Sequence, residues 1–316
     1  MGKEVSGNMH MTGIFNRKKK KQRIHMGMRD KTFLTIVHVY LLLTLLIILY
    51  PLVYVISASL SAPHAVISGQ VWLFPVDFSL EGYIRVFQNK TFLSGLRNSF
   101  FLLFCGTLIN ITMTVLAAYP LSRKNFAARR PLMFIFVFFM IFTPGIVPLY
   151  MVVKDLHLIN TYWALILPTA LSAYYVIITR TFFESSIPSA LYESARLDGA
   201  SEFKILLHIV LPLSKPILAV LALMYGVTHW NSYFNALLFI DKQESFPLAL
   251  VLRQILIQNT VDITSVADMK TMLEMEGMRD LLKYSMIVIS SIPILILYPF
   301  VQKYFVQGMM LGAVKE

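Results

Sequence analysis

The chain has 316 residues, 57% of them hydrophobic and only 14% charged, with a mean hydropathy of +0.66 and a formal net charge of +11. So apolar a composition excludes a single soluble domain and points to a multi-span membrane protein. The lone cysteine, Cys105, lies inside an apolar run, which excludes a disulfide framework and a cysteine-based zinc site.

The positive charge gathers at the start. Residues 1–31 carry nine Lys or Arg against Glu4 and Asp30. A nucleic-acid arm would want aromatic rings to stack bases, and this segment has no such ladder. It reads instead as a basic cytoplasmic segment held by the positive-inside rule and by anionic membrane lipid, with no nucleic-acid partner.

Six apolar stretches are long enough to cross a bilayer as helices, near 33–59, 97–120, 131–153, 162–183, 214–240 and 282–304. The apolar run of the first, Ile36 to Val55, is too long for a cleaved signal core, so an uncleaved signal anchor is expected. With the N-terminus inside, the inner segments hold eighteen Lys or Arg and the outer ones seven. That bias places both termini in the cytoplasm, with 60–95 and 241–280 outside. The chain therefore divides into a basic segment (1–31), a first span with its outer loop (32–94), a core of five spans (95–304) and a cytoplasmic tail (305–316).

The outer loop 60–95 holds Trp72, Phe74, Pro75 and Phe78, enough apolar surface to fold back on the membrane face. Asp and Glu are absent from all six spans. Ion-coupled carriers keep buried carboxylates for their proton or sodium, so this absence suits a machine powered from outside the membrane. Proline and glycine interrupt the spans at Pro120, Pro144-Gly145, Pro148, Pro168, Gly226 and Pro293. Such breaks are tolerated where helices pack on neighbours or line a cavity.

Between the fourth and fifth spans runs IPSALYESARLDGASEFKILLHIVLPLSKP, Ile187 to Pro216. Pro188 suits a first helical turn. Glu193 and Arg196 are three apart, within reach of an ion pair. Gly199 is placed to stop the helix in a left-handed conformation. Ser201 can cap a second helix from Glu202 to about Val210, and Pro212 would turn the chain into the next span. A polar helix–glycine–helix elbow between two spans is built to be gripped by something in water.

The fifth span carries the densest polar cluster, with Trp230, Asn231, Tyr233 and Asn235 beside Tyr225, Thr228 and His229. Trp and Tyr offer flat faces for sugar rings and Asn offers a donor and an acceptor to hydroxyls, which marks a substrate pathway. The other reading is an interfacial aromatic belt with amides bridging helices. His229 has no second His or Cys at ligand spacing, so no metal site is expected. The loop 241–280 is rich in carboxylates, which reads as a solvated loop or a docking surface for an external partner. Phosphate-loop, HExxH and GxSxG patterns are missing, so no catalytic residues are expected.

The residues Glu193, Ala195, Asp198, Gly199 and Ala200, then Ile209, Leu211 and Pro212 after eight more, resemble the EAA loop of binding-protein-dependent ABC importer permeases. Ser194 replaces the first of the two alanines after the glutamate. The similarity extends over about residues 95–316 through NTYWALILP (Asn160–Pro168), WNSYFNALLF (Trp230–Phe239), FPLALVL (Phe246–Leu252) and the tail FVQGMMLGAVKE, which closes on Glu316 where Gly is usual. In these runs the chain resembles the second permease of maltose-type carbohydrate importers, and within them the lipoprotein-associated or aldouronate-type (LplC/YtcP-like) subgroup.

That resemblance implies an all-α integral membrane protein with six transmembrane helices, a type I ABC importer permease fold, and a cytoplasmic coupling helix. Partners would be an ABC ATPase dimer, a second homologous permease and an external sugar-binding protein. The ATPases would dock on Glu193, Ala195, Arg196, Asp198, Gly199, Ala200, Ile209, Leu211 and Pro212, with small Ala195 and Ala200 letting the elbow sit deep. ATP and magnesium would belong to those partners, leaving this chain without a cofactor. The cargo would be an oligosaccharide, with uronic-acid-containing chains among the candidates. A stand-alone channel or secondary carrier for a small polar solute is the alternative.

Overall fold

The computed structural model describes residues 27–258 and 269–313. Most of the basic segment and part of the carboxylate-rich loop, including Asp262 and Asp268, lie outside the described residues. Every regular element among the described residues is helical. The chain divides at Pro51 into two compact units.

The first unit ends inside helix α1, Met28–Ser59, which continues through Pro51. Its apolar side chains are mostly exposed within this unit, Tyr40 and Ile47 among them. Thr32, Thr35 and Thr44 each donate their hydroxyl to the carbonyl four residues back, so none presents an unpaired donor to lipid.

The second unit opens with short helices α2, Pro63–Ile67, and α3, Glu81–Gln88. Helix α4 then runs unbroken over Lys90–Ser122, with one π turn at Leu102–Gly106. That wide turn lies against α11, and a Cβ on Gly106 would stand 2.5 Å from His229 Nε2. Only glycine lets the two helices approach so closely.

Three of the six expected spans are bent or broken. The third divides into α5, Arg129–Ile141, and α6, Ile146–Asp155, at 117° to one another. Pro144 cannot continue the ladder, and Gly145 at φ +85° takes a left-handed backbone. The fourth divides into α7, Trp163–Thr169, and α8, Ala173–Ser186, at 52°, just past Pro168. After the elbow helices α9, Ser189–Leu197, and α10, Glu202–Leu213, the chain bends by 82° at Ser214 into α11, Lys215–Trp230. The turn into the fifth span is therefore at Ser214, two residues beyond Pro212, which sits comfortably in a first turn at Leu211–Leu213. That span also stops short. It ends at Trp230 and resumes as α12, Tyr233–Phe239.

Helix α13, Leu248–Gln258, packs on α4, and helix α14, Met269–Ala313, carries the last apolar stretch. Four apolar clusters hold these elements among the described residues, one of them joining the end of α1 to α2 through Ala58, Ala65, Val66 and Val71. Of the other three, the first joins α4, α8, α9, α10 and the start of α11 around Leu121, Phe183, Ile205 and Leu221. The second surrounds Phe239 and Leu165, and the third surrounds Trp230, Phe92 and Met286.

Candidate functional site

The elbow is built from its packing outward. Pro188 is extended and forms the N-cap of α9 instead of its first turn. Tyr192 and Ala195, three residues apart, are both buried against the first cluster. Ala195 therefore serves the elbow's own packing: a larger side chain would hold α9 off its seat. Asp198 caps the helix and Gly199 follows at φ +74°. The Gly199 amide donates to the Arg196 carbonyl at 3.0 Å, and the Ala200 amide to the Ala195 carbonyl at 2.9 Å. This pair of bonds is a Schellman turn, the termination that favours glycine at that position. Ser201 then caps α10, its hydroxyl accepting from the Lys204 amide. The second helix runs to Leu213, a turn past Val210.

Arg196 does not pair with Glu193. Its guanidinium donates two bonds to Glu202 Oε1, at 3.0 and 2.5 Å, and so ties α9 to α10 across the glycine turn. The other Glu202 oxygen accepts from the Tyr119 hydroxyl at 2.5 Å, tying both to the end of α4. The bond from Glu202 holds the Arg196 guanidinium above its ordinary value, keeping the clamp charged. Arg123 stacks over the Tyr192 ring at 3.4 Å, and burial raises that phenol above its usual 10.0 despite the cation. Glu184 receives both Arg129 and Arg180, and Arg180 Nε also donates to the Leu121 carbonyl at the end of α4. The Glu202 bonds tie the two elbow helices to each other and to α4, while Glu184 joins α8 to α5 beside them. The elbow is a stiff knob.

Its outer face is not uniformly polar. Glu193, Arg196, Asp198 and Gly199 are exposed, while Ala200, Ile209 and Leu211 are half-buried and Pro212 is exposed. At the tip Leu197 is 89% exposed, and Phe203 on α10 is 65% exposed. A cleft of about 470 Å³ opens beside Arg123, Pro188 and Glu193, and another of about 450 Å³ beside Phe126, Glu202 and Phe203. Leu197, Phe203 and the clamp of Tyr119, Arg123 and Glu202 escaped sequence reasoning. Leu197 could have been found, since an inward Tyr192 and Ala195 turn it to the opposite face.

The four pathway residues cluster where α11 unwinds. Trp230 is buried; its indole N–H donates to the Ser290 carbonyl at 3.0 Å and its ring meets Phe100 edge-on at 5.3 Å. Asn231 is exposed, and its amide N–H donates back to the Val227 carbonyl. Tyr233 is half-buried beneath the Arg253 guanidinium, 4.9 Å from the ring centre, and Asn235 is half-buried on the same short helix. Trp230 and Asn231 edge a cleft of about 240 Å³ with Leu252, Ser290 and Ser291. In this recess the Ser290 and Ser291 hydroxyls both donate to the Ile287 carbonyl and the Trp230 indole is engaged, which leaves the exposed Asn231 side chain as the polar group turned outward. Among the described residues no group of His, Cys, Asp or Glu could hold a metal.

Residues 110–311 match the family model described as binding-protein-dependent transport system inner membrane component. Among curated proteins, the chain is 40% identical over 288 residues to the polygalacturonan/rhamnogalacturonan transport system permease protein YtcP of Bacillus subtilis (strain 168), covering 91% of this chain and 100% of that protein. It is 39% identical over 269 residues to protein LplC of the same organism, covering 85% of this chain and 90% of that one. Among solved structures, a chain from the crystal structure of a bacterial ABC transporter involved in the import of the acidic polysaccharide alginate superposes with a TM-score of 0.81 at 33% identity. The match covers 89% of this chain and 99% of that one.

Proposed function

The chain belongs to the family of inner membrane components of binding-protein-dependent transport systems, and from that premise we propose that it forms half of the translocation pathway for an acidic oligosaccharide. As a permease subunit it is a multi-pass protein of the cytoplasmic membrane and non-catalytic. The six spans, three straight and three bent, make up a type I importer permease with both termini in the cytoplasm. Helices α9 and α10 are its coupling elbow. A second homologous permease completes the pathway, an external sugar-binding protein delivers the cargo, and a dimer of ABC ATPases carries the ATP and magnesium.

The observation that carries the docking assignment is Leu197. Leu197 is 89% exposed at the tip of α9 and Phe203 is 65% exposed on α10, and two large apolar side chains bared on one short elbow support a surface kept for a partner. Glu193, Arg196 and Asp198 flank it with charge. ATP-driven closure of the partner would move the elbow as a rigid body. The bend at Ser214 would pass that motion along α11 to the break at Asn231. The acidic character of the cargo rests on the relatives, since one is named for polygalacturonan and rhamnogalacturonan and another imports alginate.

Purification from native membranes in mild detergent should bring down an ABC ATPase and a second permease with this chain. Native mass spectrometry of the copurifying binding protein should find a uronic-acid oligosaccharide on it. A neutral sugar there would refute the cargo assignment alone. Uptake that persists after the ATPases are removed would return the chain to the class of stand-alone channels or carriers.

A further inference from the structure

The end of the first span is stapled to the loop that follows it. The Ser57 hydroxyl donates to the Leu73 carbonyl at 2.7 Å, and the Val76 amide donates to the Ser61 hydroxyl at 3.0 Å. The Ala62 amide donates to the Val76 carbonyl and the Ser79 amide to the Leu60 carbonyl, at 3.1 and 2.9 Å. Residues 73–79 therefore lie level with the last turn of α1. On this fixed loop Trp72, Phe74 and Phe78 are 70%, 80% and 67% exposed.

Helix α3 continues the same surface. Gly82 and Val86 face inward, and a Cβ on Gly82 would stand 2.3 Å from Ser285 Oγ on α14. On another side Leu80, Ile84 and Phe87 follow at helical spacing and are each at least half exposed. The helix is apolar toward the protein and apolar away from it. The Glu81–Arg85 ion pair and a hydrogen bond between His64 and Asp77 border the surface.

We propose that the loop 71–80 and helix α3 form an interfacial anchor, lying in the phospholipid headgroup region where the first span leaves the bilayer. The staples fix it at the end of a helix whose preceding side chains, Leu52 and Ile56, are 56% and 50% exposed and belong to a membrane span. Trp and Phe at the end of a span, bordered by an ion pair and a polar His–Asp contact, are the chemistry of the membrane–water boundary, and this selects lipid headgroups as the occupant. The anchor sets the depth of the first span independently of the elbow and the pathway.

The test uses the intact importer in nanodiscs of phosphatidylethanolamine and phosphatidylglycerol. In a Cys105→Ala background, Phe74→Cys and Ile84→Cys are spin-labelled one at a time. Collision rates with molecular oxygen and with a nickel chelate are compared with those at Val39→Cys in mid-span. An oxygen-to-nickel ratio that favours oxygen at both sites, but less than at Val39→Cys, supports the anchor. Nickel in excess at both sites means a water-bathed surface and overturns it. Poor access for both reagents means a protein cover, from the second permease or the binding protein, and overturns it equally. Should Phe74→Cys fail to assemble, Phe78→Cys reads the same surface.

Discussion

At the scale of single residues, two glycines do different work. Gly199 supplies a backbone conformation that a β-branched residue resists, at a cost of about 1–2 kcal/mol or more. Gly199→Val should therefore leave the protein in the membrane but misaim α10 and abolish uptake, read by membrane yield and transport on one preparation. Gly106 supplies space. Gly106→Ala puts a methyl into the His229 ring and should destabilise the protein by about 1–3 kcal/mol in a thermal melt in detergent. The double variant with His229→Ala should recover part of that loss, because the ring that clashes is gone. A melt of Gly106→Ala equal to wild type would show that the two helices separate at no cost. The first glycine was legible from its place after an amphipathic helix. The second was not, since a close approach needs both helices in view.

At the scale of elements, the proposed coupling would run from Leu197 to Asn231, and each end can be tested by itself. Leu197→Asp touches nothing inside the chain, so folding and membrane insertion should be unchanged while the copurifying ATPase is lost. Retention of ATPase at wild-type yield would move the docking surface elsewhere. If Asn231 lines the proposed pathway, Asn231→Leu would remove polar contacts to sugar hydroxyls while preserving size, and a single lost hydrogen bond contributes about 0.5–1.5 kcal/mol. Reduced transport with normal assembly is expected, with an altered response of ATPase activity to loaded binding protein. Poor assembly with an unaltered sugar response would make Asn231 a helix bridge. The two helices of the elbow, the glycine turn and the serine cap were readable because each depends on neighbours close in sequence. The Arg196–Glu202–Tyr119 clamp was not, because Tyr119 comes from a helix eighty-three residues away and Glu193 offered a nearer but unused partner. The bends were half legible: Pro144-Gly145 and Pro168 marked two of them. At Ser214 the proline that draws the eye, Pro212, fits inside the turn before the bend.

At the scale of the whole molecule, the charge count assigns sides to every loop. A cysteine placed at Glu193 should resist an impermeant label applied from outside, and one at Glu244 should react; the reverse pattern would invert the topology and remove the elbow from the ATPases. Six apolar stretches were evident from composition alone, because lipid demands long apolar runs whatever the fold. Which of them would be straight was not, since packing decides it. The separation of the apolar clusters has a further consequence. The elbow is held by one cluster, while Trp230 and Tyr233 belong to two others, with α4 contributing side chains to all three. Side-chain substitutions confined to the packing around Trp230 and Tyr233 should therefore leave the packing beneath the elbow in place, so that the two ends of the chain's core can be varied separately.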